Sequence, residues 1–223
     1  MPLDGGRVLE AELREQLVAA GALLERRGLI VATDGNLSAR LPDGRLLVTP
    51  AGSRKGALRP EELVLCDPDG APLGAGARPS SEVRMHARLY AVRPEAGAVV
   101  HAHPPAVVAL SLAGRQIAAA ALPEVAEGIG EVALAPYAHP GTETLARRVA
   151  EAARQAEAVV LERHGALTLG RTVEEALLRM ERLAWAGEVT LLACAAAGGA
   201  APPALPAEAL VQLRFWRTQP RRW

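Results

Sequence analysis

Several residue types are nearly absent from this chain. Of 223 residues two are cysteine, two tyrosine and one phenylalanine, and aromatics make up 3%. Cys66 and Cys194 lie far apart, without the close spacing of thiolate ligands. A disulfide framework and a thiolate metal site are therefore both excluded, and the two read as buried, reduced thiols. Neither sign of charge is in surplus: 25 Lys and Arg balance 25 Asp and Glu. With no basic excess to neutralise phosphates, nucleic acid is not an expected partner. Long apolar runs are missing too. Half the chain is hydrophobic, but charges, histidines, glycines and prolines break its apolar stretches before the length of a membrane span. Met1-Pro2-Leu3-Asp4 lacks the basic-then-apolar pattern of a signal peptide, so a cytoplasmic location and no membrane contact are expected. Lys55 is the sole lysine and Asn36 the sole asparagine. Abundant Arg and Pro with few amides suit a heat-tolerant source. Where a sequence otherwise avoids a residue type, a single survivor is a candidate for a specific role.

The length fits one large domain or two small ones, and the hydrophobic content allows a sizeable core. Residues 8–27 carry Val8, Leu9, Leu13, Leu17, Val18, Ala20 and Leu24 at helical spacing, with Gly28 placed to end the helix. Thr33-Asp34-Gly35-Asn36 is a turn before a short strand at 37–40. Pro42-Asp43-Gly44 reads as a hairpin turn into a strand at 46–49, and 63–66 as another strand closed by Asp67-Pro68-Asp69-Gly70. Ser80-Ser81-Glu82 opens a helix to about Val92, with Glu82 in its first turn. A strand at 98–103 follows, then a helix at 104–112 with proline in its first turn. Beyond it lie a strand at 131–134, a helix at 142–155 and strands at 158–162 and 166–169. A long amphipathic helix spans 173–197, and a linker leads to a last helix at 208–216 with an Arg-rich tail. No internal repeat is present. Helices and strands interleave, yet tight turns join several strand pairs, which predicts a sheet with many antiparallel pairs covered by helices. Gly74-Ala75-Gly76 is no dinucleotide fingerprint, because it neither follows a strand nor opens a helix.

The richest signal is the pair His101 and His103, at the end of the apolar run Ala98-Val99-Val100 and stopped by Pro104-Pro105. On a strand, residues two apart share a face, so the two imidazoles would stand side by side as nitrogen ligands of one metal ion. A catalytic zinc-type site needs three or four N, O or S donors with room for substrate. His164, in the turn before Gly165, is the best third histidine, and Glu82 the best carboxylate. Spacing alone does not show which elements meet in space. His86 lies four residues after Glu82 on the same helical face, where it could support that carboxylate. His139 reads as an ordinary surface or satisfied histidine. Three segments offer donors to an anion: Gly35-Asn36, Thr49-Pro50-Ala51-Gly52, and Ser80-Ser81 at a helix N-terminus. Each alone is an ordinary turn or cap; together they could hold a phosphate without many cations.

These segments occur in the order Thr33-Asp34-Gly35-Asn36-Leu37-Ser38, Thr49-Pro50-Ala51-Gly52, Ser80-Ser81-Glu82 with His86, His101-Ala102-His103-Pro104, Ala135-Pro136-Tyr137 with Gly141-Thr142, and His164-Gly165 with Gly170. Over residues 8 to 197 this set resembles the class II aldolase/adducin family, most of all its L-fuculose-1-phosphate aldolases. The resemblance implies an α/β fold, three layers α/β/α around a central, largely antiparallel mixed sheet. Residues 1–197 would form the aldolase-like domain, with 198–223 as linker and C-terminal helix of the same domain. It also implies a C4 homotetramer with sites between subunits and one Zn2+ per subunit held by Glu82, His101, His103 and His164. Thr33, Asn36, Gly52, Ser80 and Ser81 fall on phosphate-binding positions, with Gly35 and Ala51 in the same loops. Glu82 would leave the metal when substrate arrives and serve as catalytic base and acid.

The implied reaction cleaves a ketose-1-phosphate, fuculose-1-phosphate by resemblance, to dihydroxyacetone phosphate and L-lactaldehyde through an enediolate. The alternatives are a sugar-phosphate 4-epimerase, a methylthioribulose-1-phosphate dehydratase or a decarboxylase of a related acid. A non-catalytic adducin-like module has no need of the four ligands. The ribulose-phosphate epimerases carry Asp at the Glu82 position, so Glu82 favours an aldolase or dehydratase. The chain departs from the family pattern at three places. The tyrosine proton donor falls at Leu122, with Glu124 and Glu127 nearby as substitutes. A second tyrosine near the C-terminus has no counterpart, the nearby aromatics being Phe215 and Trp216. Ala51 replaces a hydroxyl residue. The exact substrate and the proton-donor step are what these departures touch.

Overall fold

The computed structural model describes residues 4–218. Helix α1 spans Asp4–Arg26 and begins four residues before the apolar pattern does. Leu17, Ala20 and Leu24 recur on its buried face. Gly28, at φ +68°, ends it: its N–H donates to the Glu25 carbonyl and that of Leu29 to the Leu24 carbonyl. A residue without Cβ reaches that conformation at no steric cost.

Strands β1 (Asn36–Arg40) and β2 (Leu46–Val48) form the expected antiparallel hairpin, in which Asp43 Oδ1 accepts from the Arg45 N–H at 3.1 Å. The chain continues through β3 (Val64–Cys66), α2 (Val83–Val92), β4 (Ala98–Ala102), α3 (Pro105–Leu112), α4 (Pro123–Gly128), β5 (Val132–Ala135) and α5 (Glu143–Ala152). It ends with β6 (Ala158–Leu161), β7 (Gly165–Gly170), α6 (Val173–Ala196) and α7 (Ala207–Thr218). The strands make one seven-stranded sheet in the order β3-β2-β1-β4-β7-β6-β5. Only β5 and β6 run parallel, joined by the α5 crossover that a parallel pair requires. Every other neighbouring pair is antiparallel.

Alternation along the strands divides the core between the two faces. Leu37 and Ala39 of β1, and Val100 and Ala102 of β4, pack with Leu17 and Leu24 of α1 and Met180 and Leu183 of α6. Val99 of β4 and Leu167 and Leu169 of β7 point the other way, to Met85 and Leu89 of α2 and Leu145 and Val149 of α5. Fully burying one such side chain contributes roughly 1.5–3 kcal/mol, so both helical layers hold the sheet rigid beneath any site at its strand ends. This is the three-layer α/β/α arrangement with a largely antiparallel mixed sheet.

Some boundaries differ from expectation. Helix α2 starts at Val83, which leaves Glu82 at the N-cap position and not within the first turn. Strand β4 ends at Ala102, so His103 is the first residue beyond it. Its N–H has left the ladder and donates to the Leu29 carbonyl at 2.8 Å. Helix α4 was not expected: six residues are too few for a helical period to declare itself. The Arg-rich tail past residue 218 lies outside the described residues. Among the described residues no helix is long and apolar enough to cross a membrane. Both cysteines are buried and unpaired, and burial pushes the Cys66 thiol up to about 11.

Candidate metal and active site

Three histidines from separated parts of the chain converge. His101 is the fourth residue of β4, His103 follows that strand, and His164 lies in the turn between β6 and β7. Since β4 and β7 are hydrogen-bonded neighbours, with Ala102 opposite Ala166, the end of one strand meets the start of the other. The three rings stand 4.8–4.9 Å apart, centroid to centroid, each pair at a steep angle. One nitrogen from each lies within 4.8 Å of the others. Glu82 completes the group. Its Oε2 is 3.2 Å from His101 Nε2, and its Oε1 is 3.9 Å from His164 Nε2. The four residues read from the sequence as metal ligands are therefore assembled in one place. His101 and His103 meet even though His103 has left the strand.

Small residues make the convergence possible. A Cβ at Gly165 would stand 2.5 Å from His103 Cδ2 and 2.6 Å from the Ala102 carbonyl oxygen. One at Gly35, where φ is +68°, would stand 2.8 Å from the His101 carbonyl oxygen. Arg163, just before His164, holds φ +59°, an uncommon conformation for a residue with a side chain, and its N–H donates to Ser111 Oγ at 2.8 Å. The turn that presents His164 is thus pinned from outside the hairpin.

The electrostatics suit a cation. Glu82 is 7% exposed. Burial works against its charge, but the adjacent His101 and hydrogen bonds from His101 and Asn36 outweigh it and hold the carboxyl well below the usual carboxylate range. Burial likewise opposes the His101 cation, and Glu82 overcomes that, raising its pKa. Burial and then the His101 charge push His103 down to about 3 and His164 down to about 4. Both are neutral near pH 7, the form in which imidazole binds metal. His101 Nδ1 is 2.9 Å from the Ala166 carbonyl and donates to it, which leaves Nε2 with the lone pair when the ring is neutral. Among the described residues, buried Glu82 Oε1 has no hydrogen-bond partner. An orphaned carboxylate oxygen 3.9 Å from His164 Nε2, at the edge of a three-histidine cluster, fits a divalent ion of the zinc type, which takes N and O donors.

The three anion-binding candidates are also laced together. The Leu37 N–H donates to Thr49 Oγ1 at 3.1 Å, and that of Ser80 to the Thr49 carbonyl at 3.0 Å. The Ala51 N–H donates to the Arg78 carbonyl, so the segment carrying Ala51 and Gly52 runs beside the one leading to Ser80 and Ser81. Thr33, Ala51, Gly52 and Ser81 are exposed, whereas Gly35, Asn36 and Ser80 are buried. Ser80 Oγ accepts from the Glu82 N–H at 3.3 Å. Asn36 is more committed than an anion donor need be. Its Nδ2 donates to Glu82 Oε2 at 2.9 Å and its Oδ1 is 2.6 Å from His86 Nε2, so one amide N–H is left for another partner. Lys55, singled out by rarity but given no role from the sequence, is 2% exposed. Its Nζ donates to the Thr33 carbonyl at 2.6 Å and to the Ser53 carbonyl at 2.9 Å, joining the first two of these candidate segments.

Further residues around the site gave no signal when read singly. Asp34 Oδ2 lies 3.8 Å from His103 Nδ1. Ser38 and Tyr90 sit behind His86, fully buried or nearly so. A combined signal was available: Asn36 and Ser38 alternate on a strand, while Glu82, His86 and Tyr90 recur every fourth residue on a helix, two polar stripes able to face each other. Leu122 stands at the N-cap of α4. Of the two tyrosines, Tyr90 is buried and only Tyr137 is exposed.

The model of the class II aldolase and adducin N-terminal domain matches residues 15–191. The chain belongs to this family. Among its relatives, a 3-oxo-tetronate 4-phosphate decarboxylase of Cupriavidus necator is 36% identical over 209 residues, covering 92% of this chain and 95% of that protein. A 5-methylthioribulose-1-phosphate/5-deoxyribulose-1-phosphate aldolase of Rhodospirillum rubrum is 38% identical over 175 residues, 78% of this chain and 77% of the relative. An L-fuculose 1-phosphate aldolase structure superposes with a TM-score of 0.83 at 26% identity, covering 92% of this chain and 95% of the other. As a class II aldolase family member the chain is thus less similar in sequence to this fuculose-phosphate aldolase, of the kind first expected, than to the decarboxylase. The likeness favours the alternative reading over the main one.

Proposed function

We propose that this chain is a divalent-metal-dependent lyase that decarboxylates a small phosphorylated 3-oxo sugar acid, of the 3-oxo-tetronate 4-phosphate type. The observation that carries the reading is the convergence of His101, His103 and His164 beside the buried carboxylate of Glu82, one oxygen of which has no hydrogen-bond partner among the described residues. The substrate class is supported by the decarboxylase relative that matches nearly the full length.

Decarboxylation and retro-aldol cleavage share their central difficulty. Each breaks a bond to the carbon beside a ketone and leaves the electron pair as an enediolate. Three neutral histidines and Glu82 would hold the ion, zinc at one per subunit, whose Lewis acidity favours that negative charge. The residues of the chain do the rest. Thr33, Gly35, Asn36, Ala51, Gly52, Ser80 and Ser81 would bind the phosphate and fix the small substrate in place. Glu82, displaced by the substrate's oxygens, would pass a proton from solvent to the carbon that has lost carbon dioxide. Cleavage of an aldol also needs a base to take the proton of the hydroxyl whose carbon becomes the aldehyde. Decarboxylation takes no proton from the substrate, which agrees with leucine at position 122 and one exposed tyrosine in the chain.

Aldol cleavage of a methylthioribulose-1-phosphate type substrate is the second reading, favoured by the Rhodospirillum relative. The chain would act as a soluble cytoplasmic homotetramer, and Leu178, Trp185 and Leu192, exposed seven residues apart along α6, offer an apolar stripe to another subunit. The test is a panel of 3-oxo-tetronate 4-phosphate, methylthioribulose-1-phosphate and fuculose-1-phosphate, with carbon dioxide, dihydroxyacetone phosphate and dehydration product measured together. Release of carbon dioxide with dihydroxyacetone phosphate from the first compound alone is expected. Aldehyde without carbon dioxide, or loss of water alone, would replace the decarboxylase by an aldolase or a dehydratase. Protein that takes up no divalent ion would overturn all three.

A further inference from the structure

Behind Glu82 a line of four hydrogen bonds runs through the protein to the far end of α2. Asn36 Nδ2 meets Glu82 Oε2 at 2.9 Å, and Asn36 Oδ1 meets His86 Nε2 at 2.6 Å. His86 Nδ1 meets Ser38 Oγ at 2.6 Å, and Ser38 Oγ meets the Tyr90 hydroxyl at 2.8 Å. All five side chains are at most 7% exposed. The fold places them by register. Asn36 lies opposite His101 and Ser38 opposite Val99 in the β1–β4 ladder, so both face α2. Glu82, His86 and Tyr90 follow one another at one-turn intervals along that helix and its cap.

The polarity of the line is forced from one end. An ionised carboxylate only accepts, so the amide nitrogen of Asn36 must face Glu82 and its oxygen must face His86. His86 Nε2 therefore carries the hydrogen and Nδ1 accepts. The Ser38 hydroxyl must then donate to Nδ1, and Tyr90 must donate to the Ser38 oxygen. One assignment satisfies every group. Reversing any link would set two donors or two acceptors face to face in a buried place, at the cost that unpaired buried polar groups carry.

We propose that His86, backed by Ser38 and Tyr90, is a positioning residue that locks the Asn36 amide with its NH2 toward Glu82 and so sets how firmly that carboxylate is kept at the histidine cluster. None of the three touches the cluster nitrogens; they act through Asn36. Without His86 the Asn36 amide is free to turn over and present its oxygen to Glu82, which repels the carboxylate. Without Ser38 the imidazole can place its hydrogen on Nδ1 and present a lone pair to Asn36, with the same result. Partners that orient metal-binding side chains typically change metal affinity or activity by about 10–100-fold when removed. The inference rests on the proposed metal site.

The test compares His86→Ala, His86→Gln, Ser38→Ala and Tyr90→Phe with the wild-type protein. Metal affinity is measured by competition with a chromogenic chelator, and kcat and KM are measured on the active substrate. Weaker metal binding by about 10–100-fold, or a fall in kcat of that size with little change in KM, is expected for His86→Ala and Ser38→Ala. His86→Gln, whose amide can donate to Asn36 Oδ1, should recover much of the loss, and Tyr90→Phe should show the mildest effect. Should His86→Ala not fold, Ser38→Ala and His86→Gln decide the matter. Nitrogen-15 spectra of histidine-labelled protein should show His86 as the neutral Nε2–H tautomer. The Nδ1–H tautomer, or wild-type metal affinity and kcat in a folded Ser38→Ala, would overturn the relay while leaving the metal site standing. Wild-type protein that binds no metal would overturn the site and the relay together.

Discussion

Replacing Gly165 by alanine adds one carbon where two fixed elements already touch. The new Cβ would lie 2.5 Å from His103 Cδ2, 2.6 Å from the Ala102 carbonyl oxygen and 3.3 Å from His101 Cε1. Carbon atoms in ordinary contact sit about 3.5–4.0 Å apart, so the first contact must open by about 1 Å. The carbonyl cannot give way cheaply, because Ala102 is paired with Ala166, next to the substituted position, in the β4–β7 ladder. The His103 ring moves instead, or the two strands part. Metal sites hold their ligands to within about 0.2 Å, so a displacement of that size removes His103 from the set. Overpacking costs typically about 1–3 kcal/mol, which for a chain of this size lowers Tm by roughly 2–12 °C. Metal affinity should fall by roughly 100-fold or more, beyond the usual effect of losing a supporting residue. Gly76→Ala is the control: nothing lies within 4 Å of its added carbon and its φ is not in the left-handed region, so both readings should stay within error. Chelator competition and thermal melts of the two variants check this. A Gly165→Ala protein with wild-type metal affinity and Tm would refute the claim that the glycine exists to let the rings converge.

Three further outcomes are expected. Glu82→Gln keeps the shape of the carboxylate and removes its basicity, so turnover should drop by about 10²–10⁴-fold while three histidines, at lower affinity, still fill with metal supplied in excess; assay and metal content together check this, and undiminished turnover would rule out the proton-transfer role. Lys55→Met removes donors from the Thr33 and Ser53 carbonyls, so stability should fall by roughly 1–3 kcal/mol and KM for phosphorylated substrates should rise more than kcat falls; an unchanged KM would separate Lys55 from the anion loops. Burial, helped by the His101 charge, pushes His86 down to about 3, so between that value and its unfolded value of 6.5 the unfolded chain binds a proton that the folded protein refuses. Stability must therefore fall as pH drops below 6.5, by up to about 1.4 kcal/mol per unit from this group, and denaturant titrations of His86→Gln should show a pH dependence shallower by about that amount.

Much of this fold was legible because its punctuation is local. Gly28 ends α1 and Pro42-Asp43-Gly44 turns β1 into β2 through conformations that few residues adopt, and such preferences act without knowledge of the partner strand. The boundaries that moved are those set by tertiary contacts. His103 leaves β4 because its N–H finds the Leu29 carbonyl, a residue 74 positions earlier, in place of the next ladder partner. Helix α4 is too short to show a period and leans on Val125 and Ile129 being buried in the core. The histidine cluster was readable for a different reason. Spacing proposed His101 and His103, and the order of motifs supplied His164 and Glu82, but only the pairing of β4 with β7 explains why a turn some 60 residues downstream lies beside them.

Asn36 shows where reading residues one at a time fails. As the sole asparagine in a glycine turn it reads as an anion donor, yet its amide is engaged by Glu82 and His86. The two roles need not compete. An amide has two N–H groups, and a substrate that draws Glu82 from the cluster would also release the one now bound to it. The same residue would then hold the carboxylate before substrate arrives and face the phosphate afterwards. On that argument a divalent ion and inorganic phosphate should each bind more weakly to Asn36→Ala, because one side chain serves both. Loss of phosphate binding alone would assign Asn36 to the anion loops, and loss of metal binding alone would assign it to Glu82. A weakening of both by similar factors is the outcome that the shared amide requires.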